Sequence, residues 1–91
     1  MSDIAASIDL PDGDRLVLFG FSGSGADRGA IARLHSSGRR RWTAPPPAGE
    51  AQDAWVAMSL EDGRLVADSF QGLRATLDLD NGAVRDRVFV K

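Results

Sequence analysis

Residues 61–82 run Glu-Asp-Gly-Arg-Leu-Val-Ala-Asp-Ser-Phe-Gln-Gly-Leu-Arg-Ala-Thr-Leu-Asp-Leu-Asp-Asn-Gly. Asp62-Gly63, Gln71-Gly72 and Asn81-Gly82 are turn signals that bracket two short apolar stretches. Asp-Gly and Asn-Gly mark hairpins because the tight turns that match strand twist need positive φ, which these residues accept. Between the last two turns, Leu73, Ala75, Leu77 and Leu79 alternate with Arg74, Thr76, Asp78 and Asp80. Successive side chains of a strand point to opposite faces, so the pattern predicts one buried face and one wet face. The stretch reads as antiparallel strands joined by short turns.

A looser copy lies upstream. Asp12-Gly13 precedes Arg15-Leu16-Val17-Leu18, and Ile31-Ala32-Arg33-Leu34 precedes Ser37-Gly38. Extending outward predicts strands at 4–10, 15–21, 30–35 and 39–43, then at 54–60, 64–70, 73–79 and 83–90. The stretch 15–21 is apolar on both faces, which predicts a central strand. Ser22-Gly23-Ser24-Gly25-Ala26-Asp27 reads as a flexible loop. Residues 44–50, Ala-Pro-Pro-Pro-Ala-Gly-Glu, favour an extended polyproline connector and mark the boundary between the units. The best helical candidate, 27–35, is rejected on Gly29 and its β-compatible neighbours. Trp55, Ala57 and Ser59 alternate with Val56, Met58 and Leu60, and either set could face inward.

The expected fold is all-β. About eight antiparallel strands form two four-stranded, blade-like meanders, packed as a small sandwich or as an open two-blade unit. The 91 residues make a single domain with pseudo-repeat units at 4–43 and 54–90. At this length roughly two-thirds of the unfolded surface is buried, so the core is thin. A hydrophobic share of 43% is globular rather than disordered, and a net charge of −2 predicts no general affinity for nucleic acid. With no cysteine, disulfides and thiolate metal sites are excluded. A secretion signal needs a basic start and an apolar stretch, whereas Asp3 and Asp9 precede the first basic residue, Arg15. The expected location is cytoplasmic. Ten arginines against one lysine, with abundant Ala and Gly, point to a GC-rich bacterial gene.

The segment Leu34-His35-Ser36-Ser37-Gly38-Arg39-Arg40-Arg41-Trp42 resembles the outer hairpin of a quinoprotein-type (PQQ-like) or WD-like β-propeller blade. Such blades carry a small Gly turn followed four residues later by a Trp that docks between neighbouring blades. Asp62-Gly63-Arg64-Leu65-Val66 through Gly72 to Leu77-Asp78 and Gly82 resembles the inner strands of the same blade. The second copy has Asp86 where the docking Trp would stand. Two blades do not close a propeller, which needs four or more. The resemblance therefore implies blade-like sheets and no ring, and it carries over no cofactor. The layout also resembles short bacterial proteins with no established activity.

Several motifs fail on spacing. Gly20-Phe21-Ser22-Gly23-Ser24-Gly25 lacks the Lys of a phosphate loop, since Ala26 follows. Arg28 stands where a dinucleotide fingerprint needs its third glycine, and Ser24 ends what would be a nucleophile elbow. Asp78-Leu79-Asp80-Asn81-Gly82 hints at a calcium loop, but the closing Glu position holds Phe89. His35 is the sole histidine, with Ser22, Ser24, Ser36 and Ser37 as the hydroxyls around it.

The basic cluster Arg39, Arg40, Arg41 and Trp42 is the candidate partner-binding site. From Arg28 to Gly49 there are five arginines and no acid. Arg and Trp join large contact area to polar handles and are enriched in interaction hot spots. Plain alternation puts Arg40 and Trp42 on one face and Arg39 and Arg41 on the other. The plainer reading is an edge strand guarded by charge, with Trp42 in the core. The expected function is a non-catalytic protein-interaction module, immunity-type or regulatory, with no cofactor. One alternative is a single-stranded nucleic-acid binder using the same cluster. Another is an enzyme with a site near His35. Homo-oligomerisation through open sheet edges is expected as well.

Overall fold

The computed structural model describes residues 4–20, 28–47 and 53–89. Eight strands follow in order: β1 (Ile4–Asp9), β2 (Arg15–Phe19), β3 (Ile31–Leu34), β4 (Arg40–Ala44), β5 (Trp55–Glu61), β6 (Arg64–Ser69), β7 (Leu73–Leu77) and β8 (Val84–Phe89). They form two antiparallel four-stranded meanders, β1-β2-β3-β4 and β5-β6-β7-β8, open rather than closed into a barrel. The expected all-β architecture is present. No helix of the described residues is long and apolar enough to cross a membrane. The Ser22–Asp27 loop and the end of the connector, 48–50, lie outside the described residues.

Turn chemistry sets the hairpins. Leu10–Asp14, His35–Arg39 and the Ser69–Leu73 corner each close with an i to i+3 bond and a glycine at positive φ, at Gly13, Gly38 and Gly72. That is the three-residue loop in which a tight turn ends in a left-handed glycine. The two-residue turn with positive φ at both positions lies at Asp62 (54°) and Gly63 (77°), between paired Glu61 and Arg64. Asn81-Gly82 is a wider loop. Its Gly82 N–H donates to Asp78 O, and only the glycine takes positive φ.

β2 lies inside its sheet, as its two apolar faces require. Leu16 and Leu18 face the other sheet, while Val17 and Phe19 join Ala30 and Ala32 in a second cluster on the opposite face. In the second sheet Leu65, Ala67, Leu73, Ala75 and Leu77 face inward. The two inner faces form one core, with Trp42 and Trp55 among its largest side chains.

The register shows how the two units relate. Leu16 pairs with Ile8 and Arg33, while Leu65 pairs with Leu60 and Leu77. Leu18 pairs with Ile31, and Ala67 with Ala75. Equivalent residues therefore lie in the same core, so the units meet through equivalent faces. Their outer hairpins also share a bulge. Arg41 is the extra residue of β4 and Arg85 that of β8, each three residues past its turn glycine.

Candidate partner-binding surface

The β4 bulge corrects the face assignment from alternation. Trp42 pairs with Arg33 and Arg40 with Leu34, which are neighbours on opposite faces. Arg40 therefore lies outward, its guanidinium 4.9 Å from the centroid of the Phe19 ring. Trp42 points inward and is 9% exposed. A bulge adds one residue and reverses the parity of everything beyond it.

Trp42 joins the two units. Its indole N–H donates to Leu79 O at 2.8 Å, and Gly82 lies beneath its ring. Arg33 Nη1 donates to the same carbonyl at 2.8 Å. The other Arg33 nitrogens reach Asp14 at 2.8 Å and Asp12 at 2.7 Å. Arg41 Nε donates to Asp14 at 2.5 Å. Asp14 is 3% exposed, so two guanidiniums supply the partners a buried carboxylate requires. The Arg41 hydrogen bond holds the Asp14 carboxyl below its ordinary value; burial pushes it back up, and the Arg33 hydrogen bond draws it down again. The second unit repeats the device: Arg85 bonds Asp78, and this contact, with the Asp80 N–H, lowers the Asp78 carboxyl.

The four residues of the predicted cluster thus have different roles. Arg39 is exposed, Arg40 covers Phe19, Arg41 holds Asp14, and Trp42 locks the sheets together. They do not share one free face. His35 closes its own turn, its Nδ1 accepting the Ser37 N–H at 3.0 Å with the Ser37 hydroxyl 2.9 Å away. It borders a recess of about 250 Å³ with Asp9, Arg15 and Ser36. Ser22 and Ser24 fall outside the described residues. The oxygens of the suspected calcium loop bond their own turn, Asp78 to the Asp80 N–H and Asn81 to the Ala83 N–H. Among the described residues no group of three or more His, Asp or Glu side chains could hold a metal.

A cleft of about 340 Å³ opens where β4 runs into the prolines and faces β8. Pro45, Pro46 and Pro47 line it together with Ala83 and Val84 and with buried Trp55 and Leu73. The Trp55 indole N–H donates to Pro45 O at 2.9 Å, which fixes the connector against the second sheet. Val84 is 46% exposed although it stands beside inward-facing Leu77. Arg87, the one charged lining residue, pairs with Ala75 and makes no ion pair among the described residues. In the sequence these residues read as connector, core and ordinary strand. No local signal marked them, because alternation puts Val84 and Arg87 on opposite faces and only the Arg85 bulge brings them to one.

A comparison with proteins of curated function finds no match. One family model takes in every strand except β1: the chain belongs to the family described as "Domain of unknown function (DUF7957)", matched over residues 12–89.

Proposed function

We propose that this chain is a non-catalytic protein-interaction module, of immunity or regulatory type, that engages its partner at the open end of the sandwich. The observation that carries the reading is the cleft between the prolines and β8, an apolar hollow lined by exposed Val84 and by Arg87, which makes no ion pair among the described residues. Concave apolar surface with a few polar groups is the usual form of a recognition site. Arg39, just before β4, and Arg40, its first residue, are exposed, and the last residue of that strand, Ala44, reaches the same cleft. They extend the partner surface along that strand. Trp42, spanning from one unit to the turn of the other, is in keeping with the blade-like resemblance. The arginine-rich, cysteine-free composition supports a bacterial, cytoplasmic setting. Single-stranded nucleic acid would need an aromatic face beside the arginines, and Trp42 is buried.

The test places a photoreactive residue at Val84, at Arg39 or at Ser59 on the outer face of the second sheet, in cells of the source organism. One discrete protein adduct at Val84 and none at Ser59 is the expected result. An adduct at Arg39 alone would return the site to the 39–42 strand. Val84 labelling no stronger than Ser59 labelling would overturn the reading.

A further inference from the structure

We propose that the partner enters as an extended peptide that adds a strand to the free edge of β8, seats an apolar side chain beside Val84 and sets a carboxylate on Arg87. This rests on the interaction reading above and names the ligand class of its cleft. Three observations converge.

Among the described residues β8 pairs with β7 and has no strand on its other side. An unpaired edge presents a row of backbone donors and acceptors, and an extended peptide satisfies them by strand addition. The side chains that a ninth strand turned inward would meet Pro45, Pro46 and Pro47, which line the cleft.

The lining selects the side chains. Every lining residue except Arg87 is uncharged, and Arg87 carries no ion pair among the described residues. A guanidinium at an apolar cleft binds a carboxylate through paired N–H donors and gains from the reduced dielectric. The spacing follows from the register. Val84 stands opposite Leu77 and Arg87 opposite Ala75, two residues apart on β7 because Arg85 is the bulge. That places the two positions about 7 Å apart along the sheet, the repeat of one strand face. The ligand should therefore carry an apolar and an acidic residue two positions apart.

The same strand disfavours a second copy of the chain as occupant. In a two-fold pairing of β8 with itself, whichever of Arg85, Asp86 and Arg87 lies on the axis faces its own charge. Like charges directly opposite destabilise a strand pair.

The test pans a random twelve-residue peptide display library against the full chain, then measures the best peptide by fluorescence polarisation. The expected consensus is an apolar and an acidic residue at i and i+2. Arg87→Glu should weaken the peptide at least about tenfold, as loss of a charge-assisted pair does. Val84→Arg should do the same, and backbone N-methylation of alternate peptide residues should abolish binding in one register only. Both substitutions are at exposed positions, and circular dichroism checks that the fold is kept. Failure to enrich peptides, a consensus without an acid, or indifference to Arg87→Glu would each overturn the strand-addition proposal. A dimer in light scattering that Arg87→Glu dissociates would overturn it in favour of a second copy. If photocrosslinking at Val84 still captures one protein while the peptide arm fails, the interaction reading stands and this mode of binding falls.

Discussion

Gly82→Ala and Gly38→Ala make the same change at equivalent turn positions, yet their costs should differ. Both glycines take positive φ, 77° and 94° respectively. An L-residue with a Cβ costs roughly 1–2 kcal/mol in that region. At Gly38 a Cβ would meet nothing within 4 Å, so the backbone cost is the whole effect. At Gly82 it would lie 2.8 Å from Trp42 Cδ2 and closer still to Cε3. The indole cannot retreat, because its N–H is tied to Leu79 O and its ring is packed in the shared core. Overpacking adds about 1–3 kcal/mol, for a total of about 2–5 kcal/mol. Trp42→Ala removes the obstacle and itself costs about 3–5 kcal/mol. In that background Gly82→Ala should fall back to the backbone cost of about 1–2 kcal/mol. The double-mutant cycle should therefore show about 1–3 kcal/mol of coupling, less destabilisation than the sum. Urea denaturation of the four proteins and Gly38→Ala measures this, with unchanged m-values as the check on two-state behaviour. A chain of this length holds roughly 5–14 kcal/mol, so the double variant is best measured in a stabilising osmolyte. Additive costs at Gly82 and Trp42, or equal costs at Gly82 and Gly38, would refute the docking of Trp42 on that turn.

The remaining predictions concern charge, chemistry and cooperativity. Asp14 is held below its ordinary value, so its contribution is present above the unfolded-state pKa of about 3.9 and is lost as pH falls through the lower folded value. The stability gap between the wild type and Asp14→Asn should be full at neutral pH and close in acid, and a gap constant with pH would contradict it. Asn81-Gly82 is a deamidation-prone pair, because Gly82 N must attack the Asn81 side-chain carbonyl. That N–H is bonded to Asp78 O and lies under Trp42, so the native chain should resist the reaction and Trp42→Ala should speed it. Peptide mass spectrometry decides, and equal rates would show that the fold gives no protection. Both sheets contribute to one core, so far-UV circular dichroism and tryptophan fluorescence should report a single coincident transition. Two separated transitions would mean that the units fold independently.

The strands were legible because turn residues and alternation are local signals. Gly13, Gly38, Gly63, Gly72 and Gly82 each mark a turn, and the strand limits fall close to them. The side-chain faces were less legible because bulges leave no local signature. Neither alternating set in β5 is the buried one: Val56 is the extra residue, so Trp55 faces inward together with Met58 and Leu60. The same parity change separates Arg40 from Trp42. The Asp14 pairings span 19 and 27 residues, and nothing in sequence selects Arg33 and Arg41 over other arginines. Arginine abundance announced a basic surface, whereas topology turned part of it into an internal clamp. The cleft was illegible for a related reason. Proline, Trp55 and Val84 meet only when the connector folds back over the second sheet.

Equivalent-face packing decides which surfaces of this fold stay exposed. A contact that joins unlike faces can repeat, and repetition closes a ring or grows a fibre. A contact that joins like faces is complete at two. Leu16 with Leu65, Leu18 with Ala67 and Ile31 with Ala75 use the same face of each unit, so that face has no further contact to offer. The outer face of the first sheet already buries Val17, Phe19 and Ala32. That of the second is mostly charged, with Arg64, Asp68, Arg74 and Asp86 beside Val66 and Val88, and Asp68 paired to Arg74 at 2.8 Å. Neither leaves a dry face for a third layer. What remains exposed is at the margins, the strand edges and the cleft beside Trp55. In the proposed binding mode, the charge of Arg85 and Arg87 disfavours pairing of β8 with a second copy and leaves the strand's edge to the peptide. The proposed capture of a different chain, rather than another copy of this one, rests on that arrangement: like faces used for stability, and a charged edge beside an apolar cleft.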